Sequence, residues 1–219
     1  MELSDVFDEF EEWDRFPDLE DIRSFLESNL SNNYFEIEFL NKKKKTEILK
    51  DLGRTKDIKL LAFLHQEELT TAFDDEKVLN YIFCDETLSV EQKRLSCTKE
   101  LLHILDSVAS RTGAENDVKE LFIELHSHVN TEKKANLSPK PLHVIQDAIG
   151  IIPALLVLFP FKLREKIVPK IKEKVLTIDD VCKVVRLPKE WVVLILSDVW
   201  PFLRAALKIY LNPDNKTEV

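Results

Sequence analysis

Apolar residues along this chain recur mostly at intervals of three and four, the spacing that builds one greasy face on a helix. Val6, Phe7, Phe10 and Trp13 fall on one side of a first predicted helix behind Ser4. Leu19, Ile22, Phe25, Leu26 and Leu30 fall on one side of a second behind Asp18. Serine and aspartate suit those places because their side-chain oxygens accept from the free N–H groups of a first turn. A third helix is expected over 43–52, with Gly53 able to close it in a left-handed conformation. Residues 55–66 and 74–83 read as two shorter helices. Ser89-Val90-Glu91-Gln92 has the spacing of a reciprocal capping box and opens the longest periodic segment, through Leu95, Leu101, Leu102, Leu105 and Val108. Residues 116–129 repeat the pattern with Val118, Leu121, Phe122, Leu125 and Val129. One stretch departs from it. Phe35, Ile37 and Phe39 alternate with acids, as in a strand, but no partner strand is evident, so a loop or helical turn is expected there.

Residues 130–140 are polar and aperiodic and form the linker candidate. Beyond them acids thin out, apolar runs lengthen and prolines punctuate the chain. Thr177-Ile178-Asp179-Asp180 has capping-box spacing with Asp in place of Glu, and Pro188 and Pro201 suit the first turns of two further helices. The division is therefore 1–129 (an acidic helical region), 130–140 (linker) and 141–219 (an apolar, proline-punctuated helical region ending in a short tail), packed as one extended unit. The expected fold class is all-α, built from antiparallel helix pairs. In texture the chain resembles divergent HEAT or armadillo solenoids, which have little identity between repeats; an irregular multi-helix bundle fits as well. The resemblance carries no functional residues. Expected core positions are Leu101, Leu105, Leu121, Leu125, Ile149, Leu155, Val192, Ile195 and Leu203.

Composition narrows the chemistry. Three glycines in 219 residues leave no strand-Gly-helix element, which argues against nucleotide binding through a phosphate loop. Cys84, Cys97 and Cys182 are scattered and odd in number, which speaks against a disulfide framework or a zinc site and suits a reducing compartment. His126 and His128 are two apart and point to different sides of a helix; neither they nor His65, His103 and His143 form an HExxH pair. No nucleophile motif appears, and the acid pairs sit at helix starts, where carboxylates favour the dipole. No catalysis, metal or cofactor is expected. The N-terminus lacks the basic start and apolar run of a signal peptide, so a cytoplasmic location is expected; a nuclear one would follow if Lys42-Lys43-Lys44-Lys45 acted as an import signal.

The net charge of −9 is concentrated at one end. Residues 1–28 carry eleven acids against Arg15 and Arg23. Direct nucleic-acid binding is not expected of such a chain. The apolar run 148–161 is interrupted by Gly150, Pro153 and Pro160 and is too short to span a bilayer. With the basic residues that follow, 148–174 supports peripheral membrane association as an alternative function. An enzyme of unrecognised type is a second alternative. The leading expectation is an adaptor or scaffold that binds other proteins. Two candidate surfaces stand out. Phe7, Phe10, Trp13 and Phe16 could seat an aromatic face in a partner's groove, or dock within the chain as its own first helix. Thr217 and Val219 at the C-terminus have the spacing that a PDZ domain reads, an apolar last side chain with a hydroxyl two residues earlier.

Overall fold

The computed structural model describes residues 1–51, 61–70, 76–105 and 151–211. It overturns the all-α expectation, and with it the helical-repeat and armadillo-like reading. A three-stranded mixed sheet stands in the middle of the described chain, and the described residues form no solenoid. The order along the sequence is α1 (Leu3–Glu11), α2 (Leu19–Asn29), β1 (Asn33–Leu40), α3 (Lys42–Asp51), β2 (Ala62–Thr70), β3 (Glu76–Asp85) and α4 (Val90–Leu102), followed by a 3-10 turn His103–Leu105. A helical run over 151–158 is α5. Then come α6 (Phe161–Lys172), α7 (Ile178–Val185), α8 (Lys189–Leu196) and α9 (Trp200–Leu211).

All three strands lie where the sequence reading placed turn or helix. The alternation Phe35, Ile37, Phe39 is a true strand signal; its partner, β3, lies in the stretch read as helix. Val78, Leu79, Tyr81, Ile82, Phe83 and Cys84 run nearly unbroken because β3 is the central strand and has neighbours on both faces. β2 is rich in Ala, Leu, Gln and Glu, which are helix formers, and is held extended by pairing alone. β1 runs parallel to β3, with Phe35 opposite Asn80 and Ile37 opposite Ile82. β2 runs antiparallel to β3, with Leu64 opposite Ile82 and Glu68 opposite Val78.

The sheet has two unlike faces. The inner face carries Phe35, Ile37, Ala62, Leu64, Ile82 and Cys84 into the main core, against α4 and α2. The outer face carries a separate cluster of Leu40, Phe63 and Phe83, with Ile48 of α3 and Tyr81 packed on it. Two ion pairs fasten α3 there, Lys44 with Glu38 and Lys45 with Asp85. Aromatic rings continue across this face, Phe63 to Phe83 at 5.1 Å and Tyr81 to Phe83 at 5.9 Å between centroids.

Three of the four expected N-terminal caps form; the exception is α1, which starts after Glu2, whose N–H donates to Asp5, so that Ser4 lies inside the helix instead of capping it. Asp18, Ser89 and Thr177 each cap a helix reciprocally, with Asp21, Gln92 and Asp180 answering from the third position. Pro188 immediately precedes α8 and Pro201 lies in the first turn of α9. The apolar run 151–160 is turned into the chain's own core: Ala154, Leu155, Val157 and Leu158 are fully covered. No helix among the described residues is long and apolar enough to cross a membrane.

Two buried arginines tie distant segments together. Arg94 of α4 donates to the carbonyls of Pro17 and Val185, and burial pulls its guanidinium down to about 10. Arg164 of α6 donates to Ile195 O and Ser197 O at 2.7 Å each, satisfying the carbonyls that α8 leaves open at its end. The acidic first helix lies on the basic last ones. Asp14 takes Lys162 and Lys166, while Glu11 takes Arg204 and Lys208.

Candidate functional site

The backbone of the sheet fixes which groups point away from it. Leu61 O accepts from Asp85 N at 2.9 Å, so in this antiparallel pair the odd residues of β2 are those hydrogen-bonded to β3. The even residues, Ala62, Leu64, Gln66, Glu68 and Thr70, then point their N–H and C=O groups away from β3. Among the described residues no strand pairs with that outer edge. The opposite edge is treated differently. Val78 N donates to Asn32 O, which turns the odd residues of β1 outward. There Asn33 N donates to Leu30 O at 3.2 Å, and Phe35 N donates to the Glu27 carboxylate of α2 at 3.1 Å.

Beside the β2 edge, on the inner face, lies a cavity of about 460 Å3. Its described lining is Leu30 from the end of α2, Asn33, Val78 and Glu68 from one row across the three strands, Gln66, and Ile104 just beyond α4. Under it runs a chain of amides. Gln66 donates to the Asn80 side-chain oxygen at 2.7 Å, and Asn80 donates to the Asn33 side-chain oxygen at 3.1 Å and to Tyr34 O at 3.2 Å. Asn33 in turn donates to Ser31 O at 3.1 Å. Asn80 is 1% exposed, and a buried amide left unpaired would be costly, so this chain fixes the register of all three strands at the cavity floor.

The end of helix α4 and the first residue of the 3-10 turn after it read Lys99-Glu100-Leu101-Leu102-His103. This differs from the zinc-protease helix H-E-x-x-H at its first position alone. That motif uses imidazoles at i and i+4 as ligands and the glutamate as general base. Here the first ligand position holds Lys99, whose ammonium lies 3.7 Å from the Glu100 carboxylate. A fixed cation therefore sits beside the group that would serve a metal-bound water. Among the described residues no three His, Cys, Asp or Glu side chains converge as a metal site. Cys97 of α4 faces Cys84 of β3, both within 1% of full burial. The hydrogen bond to Cys84, together with burial, pushes the Cys97 thiol up, and the same bond lowers Cys84.

The candidate residues from the sequence fall elsewhere. Phe7 and Phe10 are buried in the main core, and Trp13 and Phe16 are partly buried against it. Phe10 packs on Trp13 at 4.6 Å and Phe16 on Phe159 at 5.1 Å between ring centroids. The aromatic side of the N-terminal segment is thus occupied within the chain. Thr217 and Val219 lie outside the described residues, as do the expected helix at 116–129, the linker 130–140, His126, His128 and His143. Sequence reasoning passed over Asn33, Gln66, Glu68 and Asn80. Asn80 had a signal, being the one amide inside the apolar run from Val78 to Cys84. The other three become a site only through strand register, which no local pattern prints.

No family model matches the chain, and no significant match is found among curated proteins or solved structures.

Proposed function

We propose that this chain is a binding protein, with no chemical step of its own, that takes an extended segment of another protein along the outer edge of β2. The observation that carries the reading is the conjunction of that edge with the cavity beside it. An added strand draws affinity from main-chain hydrogen bonds and specificity from a pocket that receives alternate side chains. Both parts are supplied by the same residues here, since Gln66 and Glu68 line the cavity and turn their backbone outward.

The test uses the full chain and a random dodecapeptide library displayed on phage. Enriched peptides are expected to bind the wild type and to weaken about tenfold or more on Glu68→Pro, a change worth 1.4 kcal/mol or more. That substitution removes one outward N–H and no hydrogen bond to β3. No enrichment, or equal binding to Glu68→Pro, would overturn the reading.

One observation favours a second reading. Glu100 and His103 keep two of the three chemical positions of a zinc-protease helix, so a metal-dependent hydrolase with a divergent ligand set is the competing function. Metal analysis of the full chain after zinc loading and desalting separates the two. About one retained zinc per chain, lost in His103→Ala, would replace the binding-only reading. Zinc that washes out of both proteins equally would dismiss the hydrolase.

A further inference from the structure

The cavity beside β2 also indicates what the bound segment must carry. We infer that it selects a lysine or arginine side chain at the position directly opposite Glu68; this deepens, and rests on, the edge-binding reading above.

Three of its described walls, Leu30, Val78 and Ile104, are apolar. Its two amides are engaged at the floor, with Gln66 donating to Asn80 and Asn33 both accepting from Asn80 and donating to Ser31. Glu68 is the sole charge in the described lining, and no ion pair with it is formed among the described residues. Among the described residues at this end of the sheet, the one cation, Lys77, is turned to the other face over the Tyr34 ring. Glu76 sits opposite Thr70 on β3, on the same face and exposed, and adds to the negative potential.

Register turns this into a positional rule. Because Glu68 presents its backbone outward, a strand added there places one residue directly across from it. The side chain of that residue emerges on the face of the cavity, about 5 Å away between Cβ atoms. An acidic side chain at that place would meet a like charge. A short apolar one would strip water from the Glu68 carboxylate and give nothing back. A long aliphatic stem ending in a cation suits both demands, with its methylenes against Leu30, Val78 and Ile104 and its head on Glu68. The cavity, at about 460 Å3, has room for the longer of the two side chains with water around its head.

The experiment takes the peptides enriched on the full chain and replaces the conserved cation by its neutral isostere, norleucine for lysine or citrulline for arginine. On the wild type the exchange is expected to weaken binding about tenfold or more. On Glu68→Gln, which keeps the backbone edge, the same exchange is expected to change binding by less than about twofold. Peptides that depend on the β2 edge yet show no enriched Lys or Arg would overturn the inference and leave edge binding standing. So would a loss of equal size on the wild type and on Glu68→Gln. Peptides that ignore Glu68→Pro would overturn edge binding itself.

Discussion

The two edges of the sheet are built from strands of similar length and treated in opposite ways. At β1 the chain closes its own edge. Leu30 O and the Glu27 carboxylate take the first two outward N–H groups, α2 and α3 pack alongside, and Phe35 is buried to 5%. At β2 no described strand pairs with the outer edge, and acids and exposed apolar side chains, Leu69 at 44% and Leu61 at 40%, stand around it. Open edges invite pairing with other chains, and proteins usually blunt them. The described chain closes the β1 edge itself, and β2 is the edge to which the proposed partner strand would add.

Mutations should divide along the same line. The largest contrast is Phe35→Ala against Leu69→Ala. The first empties a core position and is expected to cost about 3–5 kcal/mol. The second, on the open side, is expected to stay within about 0.5 kcal/mol. Urea denaturation of both variants checks this, and equal losses would erase the distinction between the edges. Next in size is Glu27→Ala, which strips Phe35 N–H of its carboxylate acceptor. A loss of about 1–2 kcal/mol is expected, against a change near zero for Glu68→Ala.

A smaller effect comes from acid. Asp85 closes β3 and receives Lys45 from α3. Burial alone would raise its carboxyl, but the Thr87 hydroxyl and amide and the Lys45 ammonium outweigh that and hold it below the usual carboxylate range. A depressed folded-state value means that the unfolded chain binds the proton first. The stabilisation is therefore complete above about pH 4 and is lost as pH falls through the depressed value. Asp85→Asn is expected to be less stable than the wild type at pH 7 and to approach it near pH 2, read from denaturation midpoints. A gap that persists at pH 2 would assign the effect to packing. The smallest readout concerns the interior between β3 and α4. With the protein native, iodoacetamide is expected to modify Cys182, which is partly exposed, well before Cys84 or Cys97, even though burial raises its thiol. Early alkylation of Cys97 would show that α4 separates readily from the sheet.

Local chemistry was legible in the sequence and non-local pairing was not. The caps at Asp18, Ser89 and Thr177 depend on residues three positions apart, and each formed as written. Leu101, Leu155, Val192 and Ile195 were expected in the core and are buried there. The sheet needs β1 to find β3 some 45 residues later, and a strand covered on both faces loses the alternation that would announce it. β2 is the harder case, because its Ala-Phe-Leu-His-Gln-Glu-Glu-Leu run favours a helix and is overruled by its partner. Missing the strands meant missing the site, since Asn33, Val78 and Glu68 meet only in register.

Native-state amide exchange along β2 tests the central claim most directly. Phe63, His65, Glu67 and Leu69 donate towards β3, whereas Ala62, Leu64 and Glu68 point outward. The open-edge reading expects these two sets to alternate, the outward amides exchanging roughly tenfold or more faster than their inward neighbours. On β1, the Phe35 amide should be slow because Glu27 holds it. Leu64 and Glu68 amides as protected as those of Phe63 and His65 would mean that another part of the chain already occupies the edge, and β2 could not be a docking strand.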